Sequence, residues 1–311
     1  MMEVPVPDAG LPSGSGDMGA RIRAFDWSNT PLGPPDQWPQ SLKTAVGIML
    51  NSGYPMYIAW GSDFTQIYND AYRPILGDSK HPAALGMSTV DTFAEIWDQI
   101  GPMFRSVLED AKPSTYTDLM MPLERYGFPE ECFFVFSYSP VLLASGQVGG
   151  VFVTVLETTD RVLRERRQRV VKDIAAVNAQ GSRDEIFGHA LNAIARSPGD
   201  CPFAAICRET ENGDWTVAGR CAPSELSDAA ILAALESAQS AGMPATPLAL
   251  SEGVVCDPWP EAVTHFTCRP ILPPALPRRP AFWWLEQVHG CGGMTNIPRI
   301  SMLVPPAWRQ S

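Results

Sequence analysis

A chain of 311 residues, 45% of them hydrophobic, has room for two domains with ordinary cores. Its net charge of −11 argues against nucleic acid as the main partner, because phosphate binding needs a basic face. There is no run of apolar residues long enough for a membrane-spanning helix, and the seven cysteines contain no CxxC pair, so neither a disulfide framework nor structural zinc is expected.

Residues 1–19 are rich in Gly, Pro and Ser and lack both a basic start and a long apolar run, so they read as a flexible leader and not a secretory signal. With neither signal nor span, the cytoplasm is the expected compartment. Met18 to Phe25 is predicted as a short helix. The proline-rich stretch from Trp27 to Pro39 ends it. Ser41 is expected to cap a second helix running to about Asn51.

Tyr54 to Trp60 and Phe64 to Tyr68 read as a hairpin turning at Gly61-Ser-Asp63. Asn69 to Gly77 is predicted as a short helix with a glycine stop. Residues 89–111 carry apolar positions at helical spacing, with Gly101-Pro102 expected to split them in two. Thr115 to Leu123, Cys132 to Val141 and Val148 to Leu156 follow as three strands joined by turn-like segments. The sum is an α+β unit, one antiparallel five-stranded sheet with helices on one side.

Residues 160–180 are predicted as a charged helix. Leu163, Val170 and Val177 recur every seven residues and Ile174 interleaves, a pattern that fits either a dimerising coiled coil or a linker helix packed on its own domain. The basic run Arg161 to Arg169 reads as a solvated helix face. A second domain is expected over residues 181–265. It has a helix near Ile186 to Ile194, paired strands at Phe203–Cys207 and Asp214–Ala218, a helix at Asp228–Ser240, and further strands at 247–250 and 253–256. From Phe266 onward the chain has five Arg, eight Pro, three Trp, one Glu and no Asp or Lys. That break in composition predicts an atypical tail over 266–311, either an out-of-frame reading of GC-rich DNA or a genuine disordered segment.

Several stretches, in order, resemble a PAS-domain family of bacterial hybrid histidine kinases. They are Ile22-Arg-Ala-Phe-Asp-Trp through Val46, Ile58-Ala-Trp-Gly, Tyr68-Asn-Asp-Ala-Tyr-Arg-Pro-Ile-Leu-Gly77, His81-Pro-Ala-Ala-Leu-Gly86, Glu95-Ile-Trp-Asp-Gln-Ile-Gly-Pro102, Phe136-Ser-Tyr-Ser-Pro140 and Gly149 to Arg161. Residues 181–265 are similar, over a shorter span, to the GAF-like region that follows in such kinases. The resemblance implies a PAS sensory domain at 20–159, a signalling helix at 160–180 and an incomplete GAF-like α/β domain. It also implies a role in two-component signal transduction: detecting a small ligand or partner and relaying it through the helix. The alternative is a truncated sensor histidine kinase. None of the four histidines, His81, His189, His265 and His289, lies in a phospho-acceptor setting, and no ATP-binding motif or catalytic constellation is present, so no catalysis is expected from this chain. Implied partners are a second copy through the 160–180 helix and a histidine kinase or response regulator.

A sensor works by differential binding, so a pocket matters more than a catalytic pair. Trp60, Tyr68, Trp97 and Tyr138 are the aromatic candidates for its lining, with plain core packing as the alternative. Glu157 and Thr159 resemble the acidic and hydroxyl positions that tie the last PAS strand to the outgoing helix. Arg161, or an arginine on a neighbouring strand, is the candidate partner of Glu157, either in a switch that links ligand state to helix register or in a plain exposed salt bridge. No cofactor or metal is expected. Haem at His81 is an option, while a flavin adduct at Cys132 and a bilin at Cys201 or Cys221 lack their supporting motifs. Glu130 and Glu131 are adjacent and read as facing opposite ways or lying in a loop, not as an acid/base pair.

Overall fold

The structure, a computed structural model, describes residues 16–176, 182–201, 203–210, 212–221, 226–240, 248–255, 262–271 and 282–287. The chain splits into two units, Met1–Val162 and Leu163–Ser311.

In the first unit, α1 (Asp17–Ala24) leads through short 3-10 turns at Trp27–Asn29 and Pro35–Gln37 to α2 (Gln40–Leu50). Four prolines between Thr30 and Gln40 fix φ and remove donors, so only isolated turns form there. Trp27 and Trp38 still pack edge to face at 5.1 Å. Their indole N–H groups donate to the carbonyls of Ile22 and Gly33. Ser41 is not the cap of α2 but its second residue. Pro39 holds the cap position, and its extended ψ of 147° feeds the helix with no side-chain acceptor.

β1 (Met56–Trp60) and β2 (Thr65–Tyr68) form the expected hairpin. A 3-10 turn at Asp70–Tyr72 then leads into α3 (Arg73–Lys80). Gly77 does not stop α3 but kinks it: its φ of 64° breaks the helix for one residue. After α4 (Thr89–Thr92), α5 (Trp97–Asp110) runs unbroken through Gly101-Pro102. The proline costs one backbone hydrogen bond, to the carbonyl of Asp98. Both residues are exposed, so that carbonyl is not sealed away from solvent, and the expected split does not occur.

β3 (Ser114–Glu124), β4 (Pro129–Leu142) and β5 (Val148–Glu157) complete one antiparallel sheet in the order β2-β1-β5-β4-β3. α5 lies against β4 and β5. Its fully buried Phe104 meets the rings of Tyr57, Phe64 and Tyr138. Ile58 and Ile67 alternate to the face opposite Tyr57 and Tyr68, and they too are completely buried. α2 packs on β1, β2 and β4. Both faces are therefore covered at the β1–β2 end, where the element order had suggested only one.

α6 (Thr159–Ala175) follows β5, and its residues from Leu163 onward belong to the second unit. There Val170 and Ile174 pack with Phe187 and Leu191 of α7 (Arg183–Ala195). Two of the four heptad positions are thus used within the chain; Val177 lies outside the described residues. Asp200, just past α7, accepts from Arg166 Nε at 2.6 Å and Arg167 Nε at 2.9 Å. A capping box between Ser182 and Glu185 starts α7. The remaining elements are β6 (Ala204–Glu209), β7 (Trp215–Cys221), α8 (Asp228–Ser240), β8 (Leu248–Val255), β9 (Ala262–Ile271) and β10 (Phe282–Gln287). They build a second five-stranded sheet, antiparallel throughout, in the order β7-β6-β10-β9-β8. The break in composition at Phe266 falls inside β9, and β10, within the segment expected as a tail, pairs with both β6 and β9. Residues 288–311 lie outside the described residues. No helix among the described residues is long and apolar enough to cross a membrane.

Candidate functional site

Between the sheet and the helices of the first unit lies a cavity of about 40 Å³. Tyr57 of β1, Val153 of β5 and Tyr138 of β4 share one row across three neighbouring strands. All three line the cavity from the sheet side. Tyr72, from the 3-10 turn, and Ile75, from α3, close it from above, and Leu123, Phe134 and Val155 extend it toward the ends of β3, β4 and β5. Burial pushes the phenol pKa values of Tyr57, Tyr72 and Tyr138 well above their usual range, so all three hydroxyls stay neutral.

Asn69 positions Tyr72. This buried amide accepts from the backbone N–H of Met56 and of Tyr72, each at 3.1 Å. It donates to the carbonyls of Met49, Ser52 and Tyr54. One side chain thereby ties the end of α2, the start of β1 and the turn carrying Tyr72.

Beyond the cavity, the same strand faces carry charge. On β5, Val153 and Val155 line the cavity and Glu157 is the next residue on that face. Leu123 is followed two residues on by Arg125, just past β3. On β4, Phe134 is preceded at that spacing by Cys132 and Glu130. Arg125 donates from Nη1 to Glu157 at 2.8 Å and from Nε to Glu130 at 3.0 Å. Burial works against its charge, and the two carboxylates more than offset this, so the guanidinium pKa is raised. Thr159, the first residue of α6, donates to Glu157 at 2.8 Å and accepts from the backbone N–H of Phe133 at 3.0 Å. The arginine that pairs with Glu157 is therefore Arg125. Arg161 instead pairs with Asp118, which also accepts from the Thr158 hydroxyl at 2.8 Å. Asp118 has φ 51° and sits where the β3–β4 register shifts, a local conformation that aspartate tolerates better than most residues.

Of the four aromatic candidates, Tyr138 lines the cavity. Trp60 lies over Gly149 and Gly150, where an added Cβ would stand 2.8 Å and 2.7 Å from its ring. Trp97 stacks on Phe104 at 5.9 Å. Tyr68 is fully buried, and its hydroxyl lies 2.9 Å from His81 Nδ1. Burial, then the nearby Arg73 and Arg21, lowers the His81 pKa. Cys132 is fully buried and its thiol is pushed up to about 12 by burial. No cluster of three or more potential metal ligands occurs among the described residues. Glu130 is buried and its neighbour Glu131 points the other way, as alternation requires. Tyr57, Tyr72, Asn69, Arg125 and Asp118 were not singled out from sequence. Glu130 held the available signal: an acid at an inward position of an alternating strand demands a cation, and Arg125 sits across the hairpin turn.

No protein-family model and no curated protein matches the sequence. Solved structures do. The chain is similar to a sensory box sensor histidine kinase from Vibrio cholerae, at 14% identity over 37% of this chain and 86% of that one, with a TM-score of 0.26. It is similar to the PAS domain of the histidine kinase ThkA, at 22% identity over 33% and 98%, with a TM-score of 0.27. A PAS domain of a protein from Colwellia psychrerythraea matches at 16% identity over 39% and 98%, with a TM-score of 0.31. The sheet order and the helices packed on it give the first unit a PAS-type fold.

Proposed function

We propose that this chain is a sensory module of two-component signal transduction. Its first unit detects a small ligand in the cavity, and the β5–α6 junction relays the bound state to a histidine kinase or response regulator. One observation carries the reading: cavity wall and helix start are the same strand. Val153 and Val155 of β5 line the cavity, and Glu157, next on that face, is held by Arg125 and by Thr159 at the first residue of α6. A ligand that moves β5 acts directly on the hydrogen bonds that fix where α6 begins.

The test is hydrogen–deuterium exchange on the full chain, with and without small-molecule fractions of a bacterial extract. A bound metabolite is expected to change exchange both around Tyr57 and Tyr138 and across Glu157 to Val162. In Arg125→Met the first change persists and the second is lost. Binding that leaves Glu157 to Val162 unaltered in the unsubstituted protein would sink the reading.

A further inference from the structure

The cavity has a chemical character that narrows what it accepts. None of its thirteen lining residues is charged, and six are aromatic. An ion entering it would lose its hydration with no counter-charge in reach, a large cost. Its polarity comes from Tyr57, Tyr72 and Tyr138, whose hydroxyls form no hydrogen bond among the described residues and open onto the cavity without being sealed in the core. Three phenols that open onto one cavity without a protein partner can hydrogen-bond to water or to a guest that displaces it. Each phenol both donates and accepts. Two stand on the sheet, one on either side of Val153, and the third comes from the 3-10 turn, with its ring 4.8 Å from that of Tyr57. They therefore address different edges of a guest.

Size sets the second limit. About 40 Å³ accommodates only a few water-sized molecules as it stands. Met121 lines the wall, and its unbranched side chain can swing aside to make room for one ring.

We propose that this cavity binds a neutral molecule no larger than a single ring, with hydrogen-bonding atoms at more than one edge, and that Tyr57, Tyr72 and Tyr138 are its polar contacts. This rests on the sensory reading for its location but makes a separate claim about charge, size and contacts.

The test uses the full chain and three probes of matched size: 2-pyridone, which is neutral and polar; toluene, which is apolar; and N-methylpyridinium, which is cationic. Dissociation constants are measured by ligand-observed NMR on the unsubstituted protein and on Tyr57→Phe, Tyr72→Phe and Tyr138→Phe. These variants keep each ring and remove only a hydroxyl. The expected result is that 2-pyridone binds roughly tenfold tighter than toluene, that N-methylpyridinium does not bind, and that each variant weakens 2-pyridone about fivefold while leaving toluene unchanged. Tighter binding of N-methylpyridinium would make the site an aromatic cage for cations and overturn the proposal. So would equal affinity for toluene, indifference to all three substitutions, or no binding of 2-pyridone at millimolar concentration. A charged metabolite that altered exchange at Glu157 to Val162 would overturn this proposal and leave the sensory reading standing. Binding of 2-pyridone as expected, with no change in that exchange, would do the reverse.

Discussion

Arg125 and Glu157 are 32 positions apart in sequence, yet Nη1 of one lies 2.8 Å from Oε2 of the other at the point where the sheet hands over to α6. The same guanidinium holds Glu130 at 3.0 Å, so the turn between β3 and β4, β4 itself and the end of β5 meet at one side chain. Replacing Arg125 with Met leaves the buried Glu130 without its cation. The expected cost is about 3 kcal/mol of stability in the first unit, read by chemical denaturation. The double variant Arg125→Met, Glu130→Met removes both charges and is expected to lose less than the single one.

Thr159→Val keeps the shape of the side chain and removes its hydroxyl. The Phe133 N–H loses its acceptor, and Glu157 loses a donor. A loss of about 1 kcal/mol is expected, with faster amide exchange at Phe133 and at the first turn of α6.

Asn69→Ala removes five hydrogen bonds from a buried position. The Met49 carbonyl keeps its bond from the Ser52 N–H and the Tyr72 N–H keeps its bond to the Asn69 backbone carbonyl, but the Met56 N–H and the Ser52 and Tyr54 carbonyls lose the partner that Asn69 supplies, and about 3 kcal/mol of destabilisation is expected. Asn69→Asp should fare no better, because its carboxylate faces the three carbonyls with no donor. Recovery of full stability in the Asp variant would show that the donated bonds contribute nothing.

Gly77→Ala is expected to lose about 3 kcal/mol. The position has φ 64°, and a Cβ there would stand 2.4 Å from the carbonyl oxygen of Arg125. Because the kink abuts Arg125, amide exchange around Glu157 should rise in this variant as well.

The Asp118 carboxyl is held below its usual pKa of 3.8, chiefly by the hydrogen bond from Arg161 and then by that from Thr158. Its folded-state pKa is depressed, so the stabilisation is fully present above 3.8 and is lost as pH falls through the lower folded-state value. Carboxyl NMR should place the Asp118 midpoint below 3.8 and move it up in Arg161→Gln. A midpoint that does not move would separate Asp118 from Arg161.

The five strands of the first unit were legible because alternation and turn residues mark them independently of context. Which face each residue takes was legible too; which face meets the cavity was not. Trp60 shares the parity of Ile58, so it points away from the row of Tyr57, Val153 and Tyr138, a relation that appears only once the strands are in register. Tyr72 could not be placed because its turn is fixed by Asn69 reaching back to Met49, Ser52 and Tyr54. Glu157 and Thr159 stood out through resemblance, but the choice between Arg125 and Arg161 depended on Asp118 occupying a left-handed position in a bulge. Proline rules overstated the break at Pro102, since they do not register whether the orphaned carbonyl is sealed away from solvent. Composition marked Phe266 as a boundary, whereas the backbone pairing continues through it.

The pairing of β10 has a consequence for how the second unit assembles. The last strand of that sheet in chain order sits at its centre, between β6 and β9. On a ribosome, the β6–β7 and β8–β9 hairpins emerge first, each with an open edge on the side that β10 will occupy. They cannot become one sheet until Gln287 has cleared the exit tunnel. A chain released before Phe282 would present two unpaired strand edges to other nascent chains, the geometry that templates aggregation.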